Sequence, residues 1–165
     1  MTVRDEILSA NESYASDFDK GALPMPPGRR FAVVTCMDAR IDPAKALGLD
    51  EGDAHVIRNA GGLVTDDAVR SLVISHWLLG TQEAFVIGHA DCGMLTFTND
   101  VLHEKLAGEA HADADGVDFL PFPDLEASVR ASVRRIRESP LLPESFGVSG
   151  FVYDVTCGRL NEVAA

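Results

Sequence analysis

Two groups of reactive residues stand far apart in this chain. Cys36, Asp38 and Arg40 alternate in "FAVVTCMDARIDP" (31–43), and His89 and Cys92 close "EAFVIGHADCG" (83–93). Each group follows an apolar, β-branched run that reads as a buried strand. Three chemistries compete for Cys36. A free cysteine at a strand end is often just a small buried hydrophobe. A nucleophilic thiolate in an anion-cradling loop would need an arginine six places on, where Asp42 stands instead, and that carboxylate would repel a phosphate. The third is zinc, with His89-x-x-Cys92 as a compact chelating pair and Cys36 as the remote third ligand. Zinc takes thiolate and imidazole readily, and three protein ligands plus one exchangeable position mark a catalytic rather than a structural site. No further cysteine or histidine stands at a short spacing to close such a site, and Cys157 is read as a bystander in a hairpin turn.

Asp38 and Arg40 add what a metal hydroxide needs. A carboxylate beside it accepts its hydrogen and fixes which lone pair faces a substrate. An arginine at i+2 keeps that carboxylate ionised and, through its rigid fork, correctly aimed. The alternative is a surface ion pair of little worth; a place just past a core strand favours the functional reading.

The elements that must position these residues follow from pattern. Residues 3–18 read as a helix with a weak apolar face, and "GALPMPPGRR" interrupts it with prolines and glycines. Phe31 to Thr35 is the first core strand. Asp42-Pro43 starts a short helix, "PAKALGL", with Asp42 as N-cap. "AHVIRN" is a second strand running into Gly61-Gly62. Thr65 or Asp66 caps the next helix, with Val69, Leu72, Val73, Trp77 and Leu79 as its apolar face and Gly80 as its end. Ala84 to Ile87 is a strand that breaks at Gly88, and a helix runs from Met94 towards Leu106. Residues 107–123 form a polar insertion. Leu125, Val129, Val133 and Ile136 mark a further amphipathic helix, and "FVYDVTCGRLNEV" closes as a strand and hairpin turning at Cys157-Gly158.

Strands alternating with helices, each strand a nearly continuous apolar run, predict an α/β fold. It is a single domain with a central, mostly parallel sheet of four to five strands flanked by helices. Residues 1–30 are an N-terminal helical arm and proline-rich connection, and 31–165 the core. Ligands of such sheets bind outside the carboxyl ends of the strands, so both reactive groups share one edge if their strands are neighbours.

Composition removes several alternatives. A formal net charge of −12 leaves no basic stripe for nucleic acid. No apolar run is long enough to span a membrane, and the first twenty residues lack a signal-peptide pattern. Three cysteines, an odd number, fit reduced thiols in the cytoplasm better than a disulfide framework. Asp66-Asp67 suit a helix N-terminus, and Asp91 is expected to point away from the metal. Gly61-Gly62 lacks the rest of a dinucleotide fingerprint. Gly93 is expected to allow a close backbone approach.

"CMDAR" followed by "GHADCG", with "VIRNAGG" between them, resembles the β-class carbonic anhydrases. The similarity runs from about Phe31 to Phe97, and "GFVYDVTCGRLNEV" is similar to the terminal strand and hairpin of the small bacterial and archaeal branch. The resemblance implies one zinc per chain on Cys36, His89 and Cys92, with Asp38 and Arg40 as the catalytic pair. It implies reversible hydration of carbon dioxide to bicarbonate and a proton, through a zinc-bound hydroxide that Asp38 orients. Hydrolysis of carbonyl sulfide or carbon disulfide is the rival on the same scaffold. A non-catalytic zinc-binding or thiol-sensing protein is the rival from another class. The resemblance also makes two states of Asp38 available: paired with Arg40, or closing the fourth zinc position, the closed state belonging to acidic pH and activity rising into mildly alkaline pH. His55, His76, His103 and His111 are nominal proton-shuttle candidates, with His76 packed and His103 and His111 solvated. Residues 3–17 are expected to pack across a partner in a homodimer or dimer of dimers, with the cleft at that interface.

Overall fold

The computed structural model describes residues 1–164. Strand β1 (Phe31–Cys36) is buried along its whole length and is an interior strand, next to one edge of a five-stranded sheet. It pairs in parallel with β2 (Ala54–Asn59) on one side and β3 (Glu83–His89) on the other. Parallel β4 (Gly147–Tyr153) lies beyond β3, and β5 (Leu160–Val163) returns antiparallel beside it, giving the order β2-β1-β3-β4-β5.

Among the described residues five α-helices accompany the sheet: α1 (Val3–Ser16), α2 (Pro43–Leu47), α3 (Asp66–Leu79), α4 (Asn99–Glu109) and α5 (Leu125–Arg137). Local chemistry sets their ends. Asp42 caps α2 with Pro43 in its first turn, and Thr65 caps α3, whose chain leaves through left-handed Gly80. The main core lies between one sheet face and helices α3 and α5, with Ala32, Val34, Ala84 and Val86 meeting Ala68, Leu72, Val129, Val133 and Ile136. On the other face Phe31, Val33 and Ile87 pack with Leu47 of α2, Phe85 and Phe151.

Several boundaries differ from the sequence reading. Gly88 does not break β3; the strand continues through it to His89. A Cβ at Gly88 would stand 2.9 Å from Leu125 Cδ1 and 2.9 Å from Val129 Cγ2, so the glycine is there for α5 to approach closely. Trp77 is not on the buried face of α3: it is 62% exposed and donates its indole N–H to the Leu141 carbonyl. Ser75, which hydrogen-bonds Thr81, takes a buried place instead. The helix expected from Met94 is divided into a 3-10 turn (Gly93–Leu95) and α4, which Thr98 caps. Strand β2 alternates in exposure rather than being uniformly buried, because it is a sheet edge.

Candidate metal centre and active site

The chain passes from β1 outward to β2, then crosses back to add β3 on the other side of β1. The carboxyl ends of β1 and β3 therefore flank the point where the winding reverses, the crevice such sheets use for ligands. Cys36 is the last residue of β1, His89 the last of β3, and Cys92 sits on the turn that follows. The structure brings all three together. Their ligand atoms lie within 4.8 Å of one another and all three side chains are buried.

The donor chemistry fits a metal. His89 Nδ1 faces the Ala90 carbonyl at 2.9 Å, which assigns it the proton and leaves Nε2 as a bare lone pair. That Nε2 is buried without a hydrogen-bond partner. Burial, reinforced by neighbouring Cys36 and opposed by the Met94 N–H, pushes the Cys92 thiol up to about 11. A buried imidazole lone pair facing thiols, one of which resists ionising alone, is a set completed by a soft cation, and zinc matches it. Cys157 is exposed in the terminal hairpin and takes no part.

Asp38 and Arg40 form the expected pair. Arg40 donates to Asp38 through its backbone N–H (2.9 Å, to Oδ1), its Nε (3.0 Å, to Oδ1) and its Nη2 (2.8 Å, to Oδ2). These bonds hold the Asp38 carboxyl well below the usual carboxylate range and raise the guanidinium above its own. Asp38 Oδ2 lies 3.7 Å from His89 Nε2, so the carboxylate stands at the edge of the ligand cluster.

Four contributors escaped the sequence reading. Arg58, at the end of β2, donates to the Cys36 carbonyl (3.0 Å) and the Asp38 carbonyl (2.8 Å), bracing the segment that carries the site. Gly62 has φ +65, and a Cβ on it would meet Cys36 N at 2.8 Å, so this glycine lets the turn after β2 lie directly on the Cys36 backbone. Phe122, from the polar insertion, packs with Phe97 and Tyr153 around Cys36, Ile41, Cys92 and Met94. Asp91 turns to Arg40, accepting from Nη1 at 2.6 Å. Only the first two had a signal, the segment "VIRNAGG" itself. The candidate histidines are engaged elsewhere: His55 with Ser75, His76 with the Thr81 carbonyl and His103 with the Val117 carbonyl. His111 is exposed in the loop after α4.

Fold and centre together define an α/β protein with a cysteine–histidine cluster able to hold a metal at the sheet's switch point. The sequence profile of the carbonic anhydrase family matches residues 31–160. β-Carbonic anhydrase 1 of Mycobacterium tuberculosis is 50% identical over 165 residues, covering 99% of both chains. The crystal structure of a carbonic anhydrase from Streptococcus mutans superposes with a TM-score of 0.95 at 49% identity, again covering 99% of both chains. A carbon disulfide hydrolase of Acidithiobacillus thiooxidans is 32% identical, over 93% of this chain and 90% of its own. The chain belongs to the β-carbonic anhydrase family.

Proposed function

We propose that this protein catalyses the reversible hydration of carbon dioxide to bicarbonate and a proton, with one zinc ion per chain held by Cys36, His89 and Cys92. The carrying observation is Asp38, gripped by Arg40 and standing 3.7 Å from the bare His89 nitrogen. Zinc, when bound, supplies a Lewis acid that makes a hydroxide nucleophile available near neutral pH. The chain's own residues do the rest. Asp38, kept ionised by Arg40, accepts the hydrogen of the attacking oxygen and turns its lone pair towards carbon dioxide. The apolar side chains of Ile41, Met94, Phe97 and Phe122 beside the cysteines suit an uncharged, weakly polar substrate. Released from Arg40, the same Asp38 would offer an oxygen to a metal held by Cys36, His89 and Cys92, which would close the site.

The arrangement disfavours a purely structural centre, which has no use for an orienting carboxylate. Carbon disulfide or carbonyl sulfide hydrolysis is the second reading, supported by the 32% identical carbon disulfide hydrolase but set behind the 50% identical carbonic anhydrase. Stopped-flow hydration of carbon dioxide, run beside hydrolysis assays for the two sulfur compounds, separates them. Carbon dioxide hydration should dominate, and Arg40→Ala should lose most of it while keeping zinc. Absent carbon dioxide hydration with turnover of a sulfur compound reverses the order.

A cytoplasmic homodimer or dimer of dimers belongs to the same proposal. No helix among the described residues is long and apolar enough to cross a membrane. Helix α1 buries none of its residues against the rest of the chain, and Val3, Ile7 and Leu8 are 71%, 62% and 47% exposed. Such a helix requires a second surface, and a partner subunit supplies one.

A further inference from the structure

We infer that Asp91 is a positioning residue of this site, holding Arg40 from the side opposite Asp38. The guanidinium is planar and offers five N–H donors in a fixed fork. Its Nε and Nη2 point at Asp38. On the other side Nη1 donates to Asp91 Oδ2 at 2.6 Å, and Nη2 also donates to the Asp91 backbone carbonyl at 2.9 Å. Contacts on one side alone would leave Arg40 and Asp38 free to swing together as a unit. Contacts on both sides fix the plane and reach of the guanidinium, and through it the direction of the Asp38 carboxylate.

The backbone is shaped for this. Asp91 has φ +55, in the left-handed region where aspartate and asparagine are enriched among non-glycine residues. That conformation turns both its carbonyl and its carboxylate towards Arg40. Asp91 also lies between His89 and Cys92, so Arg40 ties the ligand-bearing turn after β3 to the segment after β1. The side chain of Asp91 is 76% exposed, and as a surface ion pair it contributes little to stability. Its effect is on orientation, and residues that orient metal-site groups typically change activity by roughly 10–100-fold when lost.

The kinetic part of the test rests on the carbon dioxide reading; the spectroscopic part does not. Asp91→Gly removes the carboxylate while keeping the left-handed backbone, and Asp91→Asn keeps both backbone preference and an acceptor. In arginine-labelled protein, nitrogen NMR reads whether the two ends of the Arg40 guanidinium stay distinct, with Arg40→Lys assigning the signals. Wild type should show distinct Nη1 and Nη2 signals. Asp91→Gly should average them and lower kcat/KM by roughly 10–100-fold with zinc content unchanged, and Asp91→Asn should fall between. Distinct Arg40 signals in Asp91→Gly, or an unchanged kcat/KM, overturns the assignment. So does a loss of activity that merely tracks lost zinc. If wild type fails to hydrate carbon dioxide, the functional reading fails, and the Arg40 signals still decide whether Asp91 positions it.

Discussion

Asp38 and Arg40 are paired by the backbone before their side chains are counted. The Arg40 amide donates to Asp38 Oδ1 at 2.9 Å, a local turn that short acidic side chains favour. The guanidinium then closes onto a carboxylate already facing it. A spacing of two is thus a mechanical requirement, which is why "C-x-D-x-R" was readable as a unit. The clustering of Cys36, His89 and Cys92 was readable too, because soft donors at paired strand ends have few other uses. Cys36→Ser tests them directly: a hydroxyl is a poor replacement for a thiolate, so metal analysis should find zinc falling to a small fraction of one per chain. Full occupancy in that variant removes Cys36 from the site. Asp91 was not legible in the same way. Its role depends on a positive φ and on two strand ends meeting, and a lone acid between two ligands announces neither.

Strand and helix positions were mostly readable where one periodicity was strong. Leu125, Val129, Val133 and Ile136 repeat on one face of α5, and Val129, Val133 and Ile136 are buried there. Helix α3 was harder, because apolar residues surround more of it than one face can bury; Ile74, Trp77 and Leu78 stay exposed. Gly88 was misread as a strand break because its reason is tertiary. Gly88 and Gly150 lie under α5, and a Cβ on Gly150 would be 2.7 Å from Val129 Cγ1. A helix this close to the sheet explains both, and sequence alone shows only a β-breaker. Gly88→Ala should therefore cost about 1–3 kcal/mol through overpacking, lowering Tm by roughly 2–4 °C per kcal/mol for a chain of this size. Gly93→Ala is the control, since a Cβ there meets nothing within 4 Å. Equal melting temperatures for the two variants would remove close packing as the reason for Gly88.

At the scale of the whole molecule the arm and the core are unequal. Helix α1 has a complete capping box at Thr2 and Asp5, yet among the described residues the side-chain hydrogen bonds that tie residues 1–20 to the core are the exposed ones of Tyr14 and Lys20 to Glu51. Short-range signals predicted the helix; nothing local could say what covers it. The full chain should sediment as a dimer or larger, and a chain lacking residues 1–20 as a smaller species with lower activity. A fully active monomer at micromolar concentration refutes the assembly. A different consequence follows from the register of β1 on β3, which sets Thr35 against Ile87 and so brings residues 36, 89 and 92 to one point. A cation held there is a reversible cross-link across a long stretch of chain, and closing a loop of that length has an entropic cost that grows only slowly with its size. Binding the folded chain but not the open one makes that clasp a stabiliser in its own right. A slip of one residue between these strands would turn His89 to the opposite face, and the clasp would not shut. Metal capture would thus proofread the pairing of β1 with β3.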